Sequence, residues 1–513
     1  KPDGIMTIVL PHGVLFRGGE EGAIRKNLIE QNHIDAVIGL PANIFFGTGI
    51  PTVILVLKQK RSNTDVLMVD ASKGFMKVGK NNKLKASDIK RITDTVINRA
   101  ASPKYANCVS RDVIRDNEYN LNIPRYVDSS EDAESWDIYA SMFGTIPEQE
   151  IHALDTYWQA FPALRDALFS TTSSGQASLK TGDVKNAITH HADVQAFTQT
   201  YLVAFGDFDA YLKNALLTPM ASLNISKQEA ILSHELFARL QGIALIDKYE
   251  AYQLLDDSWL NIAIDLEIIQ SEGFAACKQV DPYMVTKKKK GKEEVQEGWI
   301  GHIMPFELVQ KTYLKDGLAQ LQHSENRLNE ISAEFEEILD SLSEEEKEAD
   351  TLKDTNDAFV NAAVIKEAKQ LRAEIKQQGA FAEDSYEAKI LRVDKLIAEE
   401  KKLKKVLKID TEKLHLQTKA TIENLSDAHA YELLALKWIS PLLNALNKLP
   451  ETLINELTGK VQSLAEKYAT TYADVAEDIQ DTEKALSALI DELTGNNLDM
   501  QGLAAFQGFL NDE

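Results

Sequence analysis

The spacing of apolar and polar residues changes along this chain of 513 residues and divides it into two parts. In the first 70 residues a helix-like segment lies among apolar runs at 5–10, 34–40, 52–57 and 66–70. The runs are too uniformly apolar to leave one polar face, which is typical of strands buried on both sides of a sheet. The pattern therefore predicts an α/β region with a helix over residues 20–31.

A further helix is predicted over residues 86–100, and a turn-rich stretch at 117–124 leads into an acidic segment at 128–134. From about residue 145 onward, leucine, isoleucine and alanine recur at the spacings of three and four that indicate nearly continuous helix. The fold class predicted is α/β followed by all-α. The predicted domains are an α/β part at 1–128, a helical domain at 129–305, coiled-coil-like helices at 306–425 and a C-terminal helical segment at 426–513.

Two helical segments carry a sustained apolar seam flanked by glutamate and lysine, with a break between them at 377–380. The first seam, in which Glu325 fills one core position, comprises Leu314, Leu318, Leu321, Leu328, Ile331, Phe335, Ile338 and Leu342. The second seam comprises Leu396, Leu403, Leu407 and Leu414. This spacing predicts a coiled coil or helical hairpin. The seams pair within the chain, or they meet a partner or a second copy of the chain; the two interpretations are not exclusive, because a hairpin can bury one seam and present another.

Charge is distributed unevenly between the two parts. Residues 1–128 hold 19 Lys and Arg against 13 Asp and Glu, a net of +6, which leaves −29 for the remainder of a chain whose total is −23. An acidic surface is repelled by phosphate backbones, so we expect any nucleic-acid contact in the first quarter. Its densest basic stretch, interpreted either as a DNA-backbone site or as a solvated loop, contains Lys77, Lys80, Lys83 and Lys85.

Most motifs that would carry chemistry are incomplete. His234-Glu235 lacks the second histidine of a zinc motif, and Gly47-Thr48-Gly49 precedes a strand instead of following one. Asp281-Pro282-Tyr283 resembles the end of an amino-methyltransferase catalytic loop but has one proline where that loop needs two, so it is interpreted as a turn. We predict no catalytic, cofactor-binding or metal-binding residue in this sequence.

Two cysteines, Cys108 and Cys277, are too few for a disulfide framework. No apolar run approaches the roughly 20 residues that span a bilayer, and no signal peptide is recognised. These features favour a cytoplasmic protein in a reducing compartment.

A series of short motifs in the first quarter resembles a known family. In order they are PHGVLF (11–16), Gly18-Gly19, Ile24-Arg25, LPANIFF (40–46), TGIPT (48–52) and NLNIPRYVD (120–128). Together they resemble the late part of the catalytic domain in the modification subunits of type I restriction–modification systems. The resemblance covers about 128 residues, and the other 385 offer only a compatible helical architecture.

The resemblance implies an adenine-N6 DNA methyltransferase that takes its methyl group from S-adenosylmethionine and acts on a base flipped out of the duplex. The family's cofactor loop and its Asn-Pro-Pro-Phe/Tyr loop do not occur in this sequence. The chain is therefore expected to be a C-terminal fragment with the later part of a Rossmann-like sheet, and to be inactive alone. By its position in the motif, Phe45 is expected to pack on the flipped adenine with Phe46 beside it; the alternative is that both rings are core.

The partners implied are the specificity subunit, the restriction subunit, double-stranded DNA and a second copy of the modification subunit, with no membrane. Two other classes stay open. The parent could be a fused restriction–methylation enzyme, for which no nuclease motif is found, or the chain could be a helical scaffold or adaptor with a degenerate methyltransferase half.

Overall fold

The computed structural model describes residues 3–45, 47–130, 134–287, 293–353, 355 and 358–510, without the side chains of 286–287, 293 and 377–378. Phe46, one of the two predicted pocket residues, lies outside the described residues. The chain forms two compact units: a first unit of 1–209, 226–260 and 442–513, and a second unit of 210–225 and 261–441. Each unit joins segments that are distant in the sequence, and the boundaries at 128, 305 and 425 stay a prediction.

Strands are concentrated in the first quarter of the chain, and helices dominate the remainder. The strands are β1 (Ile5–Pro11), β2 (Ile34–Gly39), β3 (Thr52–Lys58), β4 (Val66–Asp70), β5 (Met76–Val78), β6 (Asn81–Lys83), β7 (Ala106–Val109), β8 (Ile146–Pro147), β9 (Phe169–Thr171), β10 (Gln176–Leu179), β11 (Val280–Lys287) and β12 (Glu293–Gly301). The helices are α1 (Gly19–Glu30), α2 (Ala86–Asn98), α3 (Arg111–Asp116), α4 (Ile138–Phe143), α5 (Glu148–His152), α6 (Asp155–Ala160), α7 (Leu164–Leu168), α8 (Val184–Thr189), α9 (Ala192–Phe205), α10 (Phe208–Leu212), α11 (Ile225–Leu240), α12 (Lys248–Glu272), α13 (Phe306–Tyr313), α14 (Lys315–Asp340), α15 (Asn361–Gln378), α16 (Tyr386–Glu423), α17 (Asp427–Trp438), α18 (Ser440–Asn447), α19 (Leu449–Lys467), α20 (Tyr472–Asp491) and α21 (Asn497–Leu510).

A five-stranded mixed sheet in the order β1-β3-β2-β4-β7 forms the centre of the α/β part. The β2–β4 pair is parallel, and the β1–β3, β3–β2 and β4–β7 pairs are antiparallel. The four predicted apolar runs and the two predicted helices, α1 and α2, are confirmed. β7 was not predicted, because its four residues are too short and too polar to stand out from a loop.

Burial follows the position of each strand in the sheet. All six residues of β2 are buried, because this strand has neighbours on both sides. β1 lies at the sheet edge, and its Ile5, Met6 and Val9 are exposed. The prediction that every apolar run is buried on both faces is therefore wrong for β1. Apolar residues on an unpaired edge are a surface to which a further strand can add.

A cluster of paired charges stabilises the end of the sheet where β2 begins. The carboxylate of Asp35, which is 2% exposed, lies 3.0 Å from Arg61, 2.7 Å from Arg99 and 2.7 Å from Lys58. An ionised carboxylate at such depth is tolerated only when it is paired in this way. Removal of Asp35 would leave the buried Arg61 guanidinium without its carboxylate, whereas removal of one cation would leave two on Asp35.

The helical remainder of the first unit encloses its own core. Trp158, Phe161 and Leu164 pack with Leu457 and Val461, so helices far apart in the sequence share one interior. A small sheet of β8, β10 and β9 lies at its side. The prediction of nearly continuous helix from residue 145 is therefore wrong at this sheet and at the antiparallel ribbon β11–β12 of the second unit.

The predicted seam helices pair with each other inside the second unit. Hydrogen bonds from Gln310 to Thr418, Gln320 to Asp410 and Arg327 to Glu399 show that the segment from α13 to α14 runs antiparallel to α16. α15 packs against the same helix and completes the core with Val364, Ala368 and Leu371. The intramolecular alternative is therefore what the structure shows for these helices.

The register of the first seam differs from the prediction at two points. A helix break at Leu314 separates α13 from α14, so the seam is not one continuous helix. Ser324 occupies a buried position with Ile331 and Ile338, while Glu325, predicted for the core, is exposed. Buried residues at 324, 331 and 338 keep the seven-residue spacing of paired helices. Arg327 flanks them and pairs with Glu334 of its own helix and with Glu399 of α16, and the second of these pairs joins the two helices in this register.

Candidate functional site

The carboxyl ends of three strands meet at one edge of the central sheet. β1 and β2 both run antiparallel to β3, and β2 runs parallel to β4, so β1, β2 and β4 point in the same direction. Their ends lead into His12, Leu40 and Ala71. Ligands of open α/β sheets bind in the crevice outside the carboxyl ends of strands, so this edge is the candidate functional site.

The loop between β2 and β3, residues 40–51, forms one side of the site and carries Phe45. Leu40 N–H donates to the Thr52 carbonyl at 2.9 Å and His12 N–H donates to the Pro51 carbonyl at 3.2 Å, so both ends of the loop are fixed. Gly47, with φ +80°, provides the left-handed turn at the tip. Phe45 is 43% exposed, so a substantial part of its side chain is accessible to solvent. Its role as a base-facing ring stays a prediction.

The predicted lysines lie on and beside a second β-hairpin. β5 and β6 pair antiparallel, and Gly79 at φ +62° makes the turn between them. Lys77, Lys80, Lys83 and Lys85 are all exposed. We call residues 76–85 the lysine hairpin. The expectation of a solvated loop overlooked this ordered structure, and contact of the four lysines with DNA stays a prediction.

The lysine hairpin is hydrogen-bonded to the loop that carries Phe45. Asn82 N–H donates to the Asn43 carbonyl at 2.9 Å, and the Asn82 side-chain amide donates to the Ala42 carbonyl at 2.8 Å. Two elements that the sequence suggested separately, an aromatic loop and a basic stretch, are thus joined at the carboxyl edge. Sequence reasoning missed Asn82 because nothing in the local sequence distinguishes it from its neighbour Asn81, which also lies between Lys80 and Lys83.

Asp70 is the polar centre of the edge between β2 and β4. It accepts hydrogen bonds from Ser72 N–H at 3.0 Å and from the Ser129 hydroxyl. His12 lies close enough for the charge of Asp70 to act on it: burial lowers the pKa of His12, and Asp70 opposes that shift. His12 is therefore largely neutral at pH 7 and can both donate and accept a hydrogen bond.

The other residues of the motifs that suggested the family resemblance serve mainly to build the edge. Arg25 donates from Nε to the Tyr119 carbonyl at 2.7 Å and from Nη1 to the Val14 carbonyl at 2.8 Å. Leu121 N–H donates to the Leu15 carbonyl at 2.9 Å, and both leucine side chains are buried. The separate motifs therefore pack as one cluster behind the loops.

Apart from Gly47-Thr48-Gly49, the rejected motifs lie in elements that are not part of the central sheet. Asp281 is in β11, an antiparallel ribbon, and its carboxylate bonds to His302 Nδ1 at 2.6 Å. His234 and Glu235 lie in α11. Within the described ranges no group of three or more His, Cys, Asp or Glu is placed to hold a metal ion. No helix in the described part of the chain combines the length and apolar character that a bilayer crossing requires.

The described residues form an α/β part with an aromatic loop and a basic hairpin at the carboxyl edge of its sheet. Comparison with known proteins places this part in a class: residues 1–135 match the model of the N-6 DNA Methylase family. The resemblance to type I modification subunits, predicted from residues 11–128, is thereby confirmed for this part of the chain.

Individual relatives agree with the family match. The chain is 41% identical over 137 residues to the type I restriction enzyme MpnII methylase subunit of Mycoplasma pneumoniae, covering 26% of this chain and 25% of that protein. It is 34% identical over 156 residues to the MjaVII methylase subunit of Methanocaldococcus jannaschii, covering 29% and 27%.

Among solved structures, the methyltransferase subunit of a type I restriction–modification system from Streptococcus thermophilus is 53% identical, covers 25% of this chain and 27% of that one, and has a TM-score of 0.24. The chain spans about a quarter of the length of each of these relatives.

Proposed function

We propose that residues 1–130 form the DNA-facing part of an adenine-N6 methyltransferase that serves as the modification subunit of a type I restriction–modification enzyme. The observation that carries the proposal is the joining of the Phe45 loop to the lysine hairpin at the carboxyl edge of a sheet whose residues match the N-6 DNA methylase family. An exposed ring can stack on an extruded base while neighbouring lysines hold the phosphates beside it. Lysines on the backbone position the duplex without reading its sequence.

S-adenosylmethionine is the cofactor that this function implies, and we propose that the described residues of this chain do not hold it. The unit β1–α1 opens its helix on Gly18-Gly19, but Glu20 and Glu21 occupy the first turn. These carboxylates lie at the positive end of the helix dipole, which would otherwise stabilise an anionic group of a ligand. We propose that the cofactor is bound by residues outside this sequence and expect calorimetric titration of the isolated chain with S-adenosylmethionine to show no binding and the isolated chain to be inactive.

The free edge of β1 indicates where the remainder of such an enzyme would join. Ile5, Met6 and Val9 are exposed on this edge strand, which pairs with β3 on its other side. An unprotected apolar edge favours addition of another strand. We propose that the cofactor-binding part of the enzyme extends the sheet beside β1.

Partner subunits would meet the chain through helix α20. Tyr472, Val475, Ile479, Leu486 and Leu489 are exposed on it, and with Thr482 they keep an alternating spacing of three and four residues. Such a stripe fits another helix. The sequence of α20 contains six Asp and Glu against one Lys, so a second copy would be repelled and a basic amphipathic helix attracted.

We propose that α20, instead of the seams at 306–425, binds the specificity subunit. Replacement of Ile479 and Leu486 by Asp should abolish co-elution with that subunit in size-exclusion chromatography and leave helicity unchanged. Normal co-elution of the folded double variant would contradict this assignment. The same replacements at two exposed polar positions of the helix, Gln480 and Lys484, are the control.

The proposed function is tested at Phe45 in the assembled full-length enzyme. Phe45→Ala should slow methylation about 5- to 150-fold, because base–aromatic stacking contributes roughly 1–3 kcal/mol. It should also reduce the fluorescence change of a 2-aminopurine placed at the target base. Cofactor affinity should stay near the wild-type value.

Phe143→Ala is the control, since it removes another exposed ring, one that belongs to α4 and not to the loop at 40–51. A collapse of cofactor affinity in Phe45→Ala would show that the ring is core. If Phe45→Ala methylates DNA at the wild-type rate, Phe45 does not stack on the target base and the proposed base pocket is refuted.

A further inference from the structure

The loop at 40–51 has fixed ends but a long span between them. Its ends are held by the bonds from Leu40 to Thr52 and from His12 to Pro51. Asn43 at φ 55° and Gly47 at φ 80° turn the chain, and Phe45 lies between these two turns. A ring on such a span occupies one position only if something holds the middle of the loop.

The lysine hairpin supplies that contact from outside the loop. Asn82 donates two hydrogen bonds to the loop. Its backbone N–H donates to the Asn43 carbonyl at 2.9 Å, and its side-chain amide donates to the Ala42 carbonyl at 2.8 Å. Lys77 pairs directly across the hairpin from Asn82. The residue that holds the aromatic loop is therefore the cross-strand neighbour of a lysine proposed to bind phosphate.

We propose that Asn82 is a positioning residue that fixes the Phe45 loop to the lysine hairpin, so that the ring and the phosphate-binding lysines form one preorganised surface. The effect of Asn82 on catalysis rests on the function proposed above. The two hydrogen bonds that Asn82 donates to the loop are a property of this chain alone. Without them, the ring would have to be ordered at each encounter with DNA. The entropy lost in ordering the loop would lower the rate of methyl transfer to the base, while the contacts of the lysines with phosphates would be unaffected.

Asparagine suits this position because its side-chain amide donates from β6 to the Ala42 carbonyl of the loop. Asn82→Asp keeps the shape but replaces the donor with a carboxylate that faces the Ala42 carbonyl. Asn81 provides a matched control: it is the adjacent residue of the same strand, and Asn81→Asp adds the same charge without removing the hydrogen bond to Ala42.

The first measurement uses the chain alone, without DNA or cofactor. Once the intrinsic rate of the new residue is allowed for, hydrogen exchange of the backbone amide of residue 82, which donates to the Asn43 carbonyl, should be about 3- to 10-fold faster in Asn82→Asp. This is the effect expected when one hydrogen bond is removed. Amides of β2 should be unchanged, and Asn81→Asp should match the wild type. Unchanged exchange in Asn82→Asp, or equal acceleration in Asn81→Asp, would show that the Asn82 side chain does not hold the loop.

The second measurement uses the assembled enzyme. Asn82→Asp should lower kcat about 3- to 10-fold and weaken the 2-aminopurine signal, while KM for S-adenosylmethionine stays at the wild-type value. A purely structural defect would instead reduce cofactor binding and the active fraction together. Wild-type kcat in Asn82→Asp would overturn the positioning role. If the wild-type enzyme itself fails to methylate adenine, the proposed function fails, and the exchange measurement still decides whether Asn82 holds the loop.

Discussion

Close packing behind the candidate site can be tested at Gly39, the last residue of β2. A Cβ at this position would lie 2.8 Å from Ile123 Cδ1 and 3.7 Å from the Val69 carbonyl oxygen. Ile123 is 3% exposed and belongs to the NLNIPRYVD motif, so its methyl group has little room to move away. Gly39→Ala therefore forces an overlap between β2 and that motif.

The expected cost is about 1–2 kcal/mol, in the lower part of the range for overpacked cores because the clashing atom is a terminal methyl. Ile123→Val removes that methyl and should cost about 0.5–1.5 kcal/mol by itself. The double variant should then be less destabilised than the sum of the two single variants by about 1 kcal/mol.

Native-state hydrogen exchange is the appropriate assay, because a chain of two compact units does not have one global unfolding free energy. The slowest amides of β2 and β4 should exchange about 5- to 30-fold faster in Gly39→Ala if they open with the domain. Gly459→Ala on α19 is the control: nothing lies within 4 Å of its added Cβ, so the change should stabilise its helix slightly. The packing argument is refuted if Gly39→Ala exchanges like the wild type or if the double variant shows the full sum.

Two further predictions concern charge. Replacing the four lysines of the lysine hairpin by alanine should reduce the slope of log K against log salt by about 0.9 for each lysine that binds a phosphate in the wild type, without changing the preferred DNA sequence. If filter binding by the assembled enzyme shows an unchanged slope, the lysines are solvated surface residues that do not contact DNA. His302 bridges Asp281 at 2.6 Å and Glu272 at 3.1 Å, and the hydrogen bond to Asp281 is the main cause of its raised pKa. The protection of the ribbon β11–β12 should therefore be greatest below pH about 6.5 and decline as pH rises through the raised pKa. His302→Gln should remove this dependence in exchange measurements, and an identical pH profile in that variant would contradict the bridge.

Local patterns were sufficient to predict most elements of the α/β part. The runs that became β1 to β4 are apolar over five to seven residues, and the helix spacing of α1 and α2 is complete within each segment. Hydrophobic periodicity is a property of adjacent residues, so it can be recognised without knowing what each face meets. The order of the family motifs was likewise visible in the sequence, and the family match to residues 1–135 confirmed it.

Tertiary structure alone decided where those elements lie and what surrounds them. Nothing within Ile5–Pro11 distinguishes an edge strand from a central one, because exposure of Ile5 depends on whether another strand pairs beside it. The core position of Ser324 in place of Glu325 follows from the break at Leu314 and the packing of α16, neither of which is encoded in the spacing of leucines. The hydrogen bond of Asn82 to Ala42 joins residues 40 positions apart through the fold of a hairpin against a loop. A site built from such long-range contacts becomes visible only when the chain is folded, because hydrogen-bond partners are chosen by position in space and not by neighbourhood in the sequence.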